Sequence, residues 1–343
     1  MCDENVEVSI IIPVYNKEKY IENTLDSVLN QSFTNYEVII VNDGSTDNSF
    51  QILKDYEDKY PQVTVYSQEN KGVSSARNLG LKKAEGKWIW FIDGDDVPSE
   101  HFLSEIFNSK IDKKIDIISS NYSTIDQNNN IKKIEVGNYR IITGSELVDY
   151  FMDYQYVNGY WGYLWNKLIR REFITNNYVE FREGLCLAED LDFMVSLYEK
   201  CNYLCIVPYF SMQYTLEAEN SSKDLNINYQ HQLEIQKNIY KWIVIKNKKE
   251  NYIQIFKEVI SNYAACILFY SYERDEDINE QASSLINDVE IFDLLTCDNA
   301  KKEMKPIIRN LKSKNINNVY LYLSMRRKLK KIYYKIVGGN SFV

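Results

Sequence analysis

Residues 87–96 read KWIWFIDGDD. The apolar run from Lys87 to Ile92 is a candidate strand that delivers three carboxylates, Asp93, Asp95 and Asp96, to its carboxyl end, with Gly94 permitting a tight turn between them. Like charges this close repel unless something positive sits among them. The Asp-x-Asp spacing puts Asp93 and Asp95 on the same side of a short turn, where a hard divalent cation such as Mg2+ or Mn2+ can hold a diphosphate between carboxylate and metal. Taken alone, the same residues also fit an ordinary solvated turn before a helix that starts near Ser99. The surrounding chain has to decide.

Toward the N-terminus the pattern alternates strand and helix. Val6 to Ile12 is a short apolar strand ended by Pro13, which cannot donate to a ladder. Tyr20/Ile21, Thr24/Leu25 and Val28/Leu29 then repeat at helical spacing. Tyr36 to Asn42 is a nearly continuous Val/Ile strand, suited to burial on both faces of a parallel sheet. A turn at Asp43 to Asp47 opens a helix that runs to about Tyr60. Val63 to Ser67 is a third strand, and the polar loop Gln68 to Gly72 leads into a helix from Val73 to Ala84, stopped by Gly86. Such alternation implies right-handed crossovers and a parallel sheet, whose ligands bind outside the carboxyl ends of the strands. Pro13 to Asn16, Asp43, Gln68 to Gly72 and Asp93 to Asp96 all fall at those ends, so four polar turns converge on one rim. There is no GxGxxG, and Gly80 to Lys87 has the wrong spacing for a P-loop. Phosphate must be bound through a metal or basic side chains.

The chain of 343 residues is 45% hydrophobic and 26% charged, as in a soluble globular protein. The start, MCDENVEVS, lacks the basic and apolar regions of a signal peptide, and no apolar run reaches the length of a membrane span. Six scattered cysteines without a CxxC point to reduced thiols and a cytoplasmic protein. The net charge of −9 argues against nucleic acid as a partner. That charge is uneven: no Asp or Glu follows Glu303, and the ten Lys and Arg beyond it leave −19 on residues 1–303.

Four ordered stretches carry a family resemblance: SIIIPVYNKEKYIENTLDSVLNQSF from Ser9, VNDGSTDNS from Val41, ENKGVSSARNLGL from Glu69, and FIDGDD from Phe91. Together they resemble the family 2 glycosyltransferases of GT-A fold, especially bacterial enzymes of surface polysaccharide synthesis, over about residues 6 to 215. The resemblance implies a Rossmann-like, mostly parallel α/β sheet flanked by helices, with a helical C-terminal region. It implies that Pro13 and Tyr15 line the nucleobase pocket and that Asp43 accepts the uracil imide hydrogen. Arg77, with Asn70 before it, would close the base and phosphate side. Asp93 would hold ribose or metal, and Asp95 would be the main ligand of Mn2+ or Mg2+. Asp190 of Leu187-Ala188-Glu189-Asp190 precedes a helical stripe, so it lies at or beside a helix N-terminus, where ionisation is favoured. It reads as a simple N-cap or, by the resemblance, as the general base, with Glu189 orienting the acceptor or the base. Trp161, Trp165 and Lys167 resemble a W-x-K segment, and the tryptophans are read as core in preference to an acceptor platform. Tyr209 to Asn220 departs from the family in lacking Arg and His, which leaves Lys167 or Lys223 to help neutralise a diphosphate.

The expected function is therefore an inverting, metal-dependent glycosyltransferase that moves a sugar from a UDP-sugar to a hydroxyl of a glycan or lipid-linked saccharide. A sugar nucleotidyltransferase would need a Gly-rich, Arg-containing loop after the first strand, which PVYN is not. An inactive binding or scaffold protein of the same fold is the non-enzymatic rival. The expected division is a catalytic domain over 1–222 and a helical region over 223–343, whose tyrosine-rich helices suit a packed domain or a homodimer interface. Within 321–336, Leu321, Met325, Leu329, Ile332 and Ile336 form a stripe flanked by basic residues. Two readings stand: a helix lying on anionic lipid at the inner face of the plasma membrane, or one docked on the acidic body of the protein.

Overall fold

The structure is a computed structural model and describes residues 6–109, 111–112, 114–126, 128, 130–185, 187–215 and 228–337. The chain forms two compact units, Met1–Asn226 and Ile227–Val343. The first opens with β1 (Val8–Val14), α1 (Ile21–Leu29), β2 (Tyr36–Asp43), α2 (Ser49–Lys59), β3 (Val63–Gln68), α3 (Val73–Lys83) and β4 (Trp88–Phe91). It continues through α4 (Phe102–Asn108), β5 (Ile117–Ile125), β6 (Ile131–Ile134), β7 (Arg140–Ile142) and α5 (Gly144–Asn158). β8 (Lys167–Arg170), α6 (Arg171–Asn176), α7 (Glu189–Tyr198) and β9 (Leu204–Thr215) complete it. The strand order is β3-β2-β1-β4-β8-β5-β9-β7, with β6 paired to β5.

The first four strands are mutually parallel, as their alternation with helices requires. β1 is buried along its whole length, the state its apolar sequence demands. Beyond β4 the sheet turns mixed, because β8 inserts antiparallel between β4 and β5. Pro13 does not end β1: the strand runs on to Val14, with Pro13 opposite Val41 and Val14 opposite Asn42. The Ile11 carbonyl accepts from Ile92 N–H on the β4 side. Pro13, two residues on, turns its missing donor to that same side, where the β4 ladder has already stopped at Phe91. No hydrogen bond is lost there.

Two glycines set the spacing of this half of the sheet. A β-carbon at Gly80 of α3 would lie 2.4 Å from Ile11 Cγ2, so the helix packs directly on β1. At Gly86 it would lie 2.4 Å from the Ser9 backbone nitrogen, and Gly86 N–H donates to Ser9 Oγ at 2.8 Å. Backbone cannot give way as a side chain can.

The second unit holds α8 (Tyr229–Lys246), α9 (Glu250–Glu273), α10 (Ile278–Asn287), α11 (Val289–Leu294), α12 (Lys305–Lys312) and α13 (Ile316–Val337). α9 buries Phe256, Ile260, Ala264 and Ile267 and leaves Tyr270 exposed. α13 buries Val319 and Leu323 and leaves Leu321, Met325 and Leu329 exposed. Among the described residues no helix is long and apolar enough to cross a membrane.

Gly86→Ala is expected to destabilise the first unit by about 3 kcal/mol, through overpacking against fixed backbone. Urea unfolding followed by tryptophan fluorescence checks this, and an unchanged midpoint would contradict the packing.

Candidate active site

The rim turns meet around one guanidinium. Arg77 sits in the second turn of α3 with its side chain 3% exposed. Its Nη2 donates to Asp93 Oδ1 at 2.8 Å, and its Nη1 donates to Glu189 Oε1 at 3.0 Å and Asp190 Oδ1 at 2.5 Å. Asp93 follows β4, whereas Glu189 and Asp190 begin α7, so a single side chain joins residues 112 and 113 positions apart. Burial works against the charge on Arg77, yet Asp190, Asp93 and Glu189 together hold its pKa above the ordinary arginine value.

Aromatic packing aims α7 at Arg77. Phe181 stacks face to face on Phe193 of α7, with ring centroids 3.9 Å apart, and the guanidinium lies 5.4 Å over the Phe181 ring. Asn78, the neighbour of Arg77, fixes Phe181 by two backbone hydrogen bonds: Nδ2 donates to its carbonyl and Oδ1 accepts from its N–H, each at 2.8 Å. Sequence reading passed over Asn78, although an amide beside a buried arginine has the means to make this link. The N-cap of α7 is Ala188, held at φ 61° in the left-handed region. Asp190 is therefore the second residue of the helix and not its cap. Burial pushes its carboxyl well above the ordinary range; Arg77 pulls the other way, and Glu189 and Asp93 add repulsion. These causes outweigh the helix N-terminus, whose pull toward ionisation the sequence had suggested.

A second cluster lies at the ends of β2 and β3. The buried Asp43 carboxylate accepts from Gln68 Nε2 at 2.7 Å, Lys71 N–H at 2.9 Å and Gly72 N–H at 2.8 Å. Asp43 thus clamps the β3–α3 loop, while the local turn is made by its neighbour Asn42, whose Oδ1 accepts from Ser45 N–H at 3.1 Å. A carboxylate has about four acceptor positions, and these three bonds leave one. Gly44 has φ 72°, and a β-carbon there would meet the Asn70 backbone nitrogen at 2.7 Å, so the two loops touch backbone to backbone. The Asn70 side chain is exposed, the Tyr15 ring is 45% exposed, and Pro13 is buried within β1.

The aspartate run is split three ways. Asp93 belongs to Arg77, while Asp95 is half-exposed and ion-paired with Lys17 Nζ from the β1–α1 loop. Asp96 is buried with its Oδ2 unpartnered, and its N–H returns to the Asp93 carbonyl at 3.0 Å. Burial pushes the Asp96 carboxyl well above the ordinary range, with the charges of Asp93 and Asp95 adding to the effect. Among the described residues no three acidic, His or Cys side chains converge as a ready-made metal site. A cation at Asp95 fits only as Mg2+ or Mn2+ commonly bind, through one or two carboxylates with phosphate oxygens and water supplying the rest.

Trp161 and Trp165 are both buried, in accord with the core reading. Lys167 is buried too, its Nζ donating to the carbonyls of Tyr160 at 3.0 Å and Tyr163 at 2.6 Å and to Asn166 Oδ1 at 2.6 Å. Burial pushes its pKa down, opposed by the charge of Asp190. Three acceptors use all three ammonium hydrogens, and none is left for a diphosphate. Lys223, the other substitute considered, lies outside the described residues.

The description "Glycosyl transferase family 2" matches residues 9–172, which span the parallel strands, the Asp43 clamp, Arg77 and the aspartate run. Over these residues the chain is similar to that family. An uncharacterized glycosyltransferase, EpsJ of Bacillus subtilis, is 34% identical over 194 residues, covering 56% of each chain. A cholesterol galactosyltransferase of Borreliella burgdorferi is 29% identical over 275 residues, 78% of this chain and 74% of its own. The chain thus spans about half the length of EpsJ and less of some other curated relatives. Residues 1–349 of S. aureus TarS, solved in complex with UDP-GlcNAc, superpose with a TM-score of 0.65 over 94% of this chain and 92% of that one, at 22% identity. That likeness establishes the GT-A fold.

Replacing Arg77 by Met leaves three neighbouring carboxylates without their cation. The loss is expected to be about 3 kcal/mol, at the lower end for breaking a buried charge network because Asp93 is partly solvated. The sign with pH is fixed. Without Arg77 the folded-state pKa of Asp190 rises further above its unfolded value, so the folded state gains protons and stability falls as pH rises. Denaturation of Arg77→Met at pH 5 and pH 8 should show the larger deficit at pH 8, and equal deficits would contradict the network.

Proposed function

We propose that this chain transfers a sugar from a UDP-sugar to a hydroxyl of a glycan or lipid-linked acceptor in bacterial surface polysaccharide synthesis, with inversion at the anomeric carbon. The observation that carries the reading is the Arg77 junction, which joins a phosphate-side carboxylate, Asp93, to a candidate base, Asp190. Tyr15 presents an open ring face at the rim for a uracil base, and Asp43 offers its remaining acceptor position to the imide N–H. Asp93 faces the ribose and diphosphate. Mn2+ or Mg2+ held by Asp95 would supply charge neutralisation for the leaving diphosphate.

Asp190 takes the proton of the acceptor hydroxyl as that oxygen attacks the anomeric carbon on the face opposite the diphosphate, which produces inversion in a single displacement. Its raised pKa makes it a stronger base than a solvated carboxylate. Arg77 sets its orientation, and Glu189, sharing the same Nη1, holds the guanidinium to that side. A sugar nucleotidyltransferase is disfavoured because β1 leads into Tyr15-Asn16-Lys17 and not into a Gly-rich loop. A binding protein that had lost activity would have no use for a half-buried carboxylate of raised pKa tied to its rim arginine.

Asp190→Asn should lower UDP-sugar turnover by about 10²- to 10⁴-fold while UDP binding survives; near-normal turnover would remove Asp190 from the role. The acid limb of kcat/KM should lie above the ordinary carboxylate pKa of about 4, since protonated Asp190 is inactive and its pKa is raised; a limb at or below that value would contradict the assignment.

For the acceptor side we infer contact with anionic lipid through α13. Leu321, Met325 and Leu329 are 57%, 55% and 63% exposed, on the side opposite the buried Val319 and Leu323. No acidic residue occurs in the helix, and exposed Lys328 flanks the stripe. Basic residues near an anionic surface contribute about 1 kcal/mol each. Cosedimentation should show binding to vesicles containing phosphatidylglycerol, weaker in high salt and lost in Leu321→Glu/Met325→Glu. Equal binding to neutral vesicles, or a dimer dissolved by the same substitutions without lipid binding, would contradict it.

A further inference from the structure

We propose that Lys17 couples metal binding at Asp95 to nucleotide binding, by holding that carboxylate until a diphosphate arrives. The inference rests on the reading of Asp95 as metal ligand given above. Lys17 is not a loose surface lysine that happens to touch an aspartate. Its carbonyl accepts from Tyr20 and Ile21 at the start of α1, at 2.9 and 3.0 Å. Its N–H donates to Ser49 Oγ at 2.8 Å. Asn16 before it is held at φ 53°, with its Oδ1 accepting from Thr46 N–H at 2.8 Å. Its stem runs along Gly94, whose β-carbon would lie 3.4 Å from Lys17 Cγ. The backbone is thus anchored to α2, the stem lies on the turn between Asp93 and Asp95, and the ammonium ends on Asp95.

The consequence is competition. An ammonium and a divalent cation cannot both occupy the same carboxylate oxygen, so metal entering alone must displace Lys17 and leave its charge beside the metal. A diphosphate removes both obstacles, because it brings oxygen ligands for the metal and a new anionic partner for the released ammonium. Metal and nucleotide therefore each strengthen the binding of the other, and by linkage the two enhancements are equal. Lys17 also supplies the positive charge that Tyr209 to Asn220 lacks and that Lys167, consumed by its three acceptors, cannot provide.

The coupling can be measured without turnover. Mn2+ binding is followed from the loss of the free-ion paramagnetic resonance signal, with and without UDP, in the unaltered chain, Lys17→Met and Lys17→Arg. Met keeps the stem on Gly94 and removes only the charge, and matching thermal melting establishes that the variant is folded. A half-exposed ion pair shifts an equilibrium by at most about fivefold. Lys17→Met should accordingly bind Mn2+ alone about three- to fivefold more tightly, UDP should enhance its Mn2+ binding by that much less, and Lys17→Arg should resemble the unaltered chain. An unchanged Mn2+ affinity and unchanged UDP enhancement in Lys17→Met would overturn the proposal while leaving the metal reading intact. Failure of every form to bind Mn2+ even with UDP, or undiminished binding in Asp95→Ala, would overturn both.

Discussion

A guanidinium buried against three carboxylates is unstable alone and so are the carboxylates, and that mutual dependence organises the first unit. Arg77 can be buried because Asp93, Glu189 and Asp190 surround it. Those carboxylates can approach one another because Arg77 lies between them. The parallel sheet brings α3 and the end of β4 to one rim, and the Phe181–Phe193 stack brings α7 to the same point. Burial raises the Asp190 carboxyl above its ordinary range, Glu189 and Asp93 add to the effect, and Arg77 opposes it.

Much of this was legible in the sequence, for reasons specific to each element. The N-terminal strands and helices fell within a residue or two of their positions because a buried parallel strand has to be continuously apolar and glycine or proline marks each exit. Pro13 was the exception. Its effect depends on which neighbour its missing donor faces, and that is a property of the ladder and not of the residue. The rim residues could be named one by one, but their connections could not. Arg77 and Asp190 are joined across more than a hundred residues, and no local pattern announces such a pair. Asp43 illustrates the same limit: the sequence offered an Asx turn or a ligand for the base, and the structure shows a carboxylate that clamps the opposite loop and keeps one acceptor position free.

The cations were the least legible part. Lys167 looked available from its place near the aromatic segment, yet burial consumed its donors. Lys17, unremarkable in an exposed turn, reaches the aspartate run because Gly94 gives its stem a surface to lie on. The α13 stripe was visible as a period of four, but period alone does not say which side faces the protein; Val319 and Leu323 took that side, and Leu321, Met325 and Leu329 were left exposed. Charge is uneven as well, with ten Lys and Arg and no acidic residue after Glu303.

The central claim is that the two halves joined by Arg77 form one site for a UDP-sugar. Its most direct test is UDP release from UDP-glucose, UDP-galactose and their N-acetyl forms in the presence of Mn2+ and no acceptor. The account predicts slow release from at least one donor, abolished by EDTA. No release from any of them, together with no UDP binding by calorimetry in the presence of Mn2+, would contradict it.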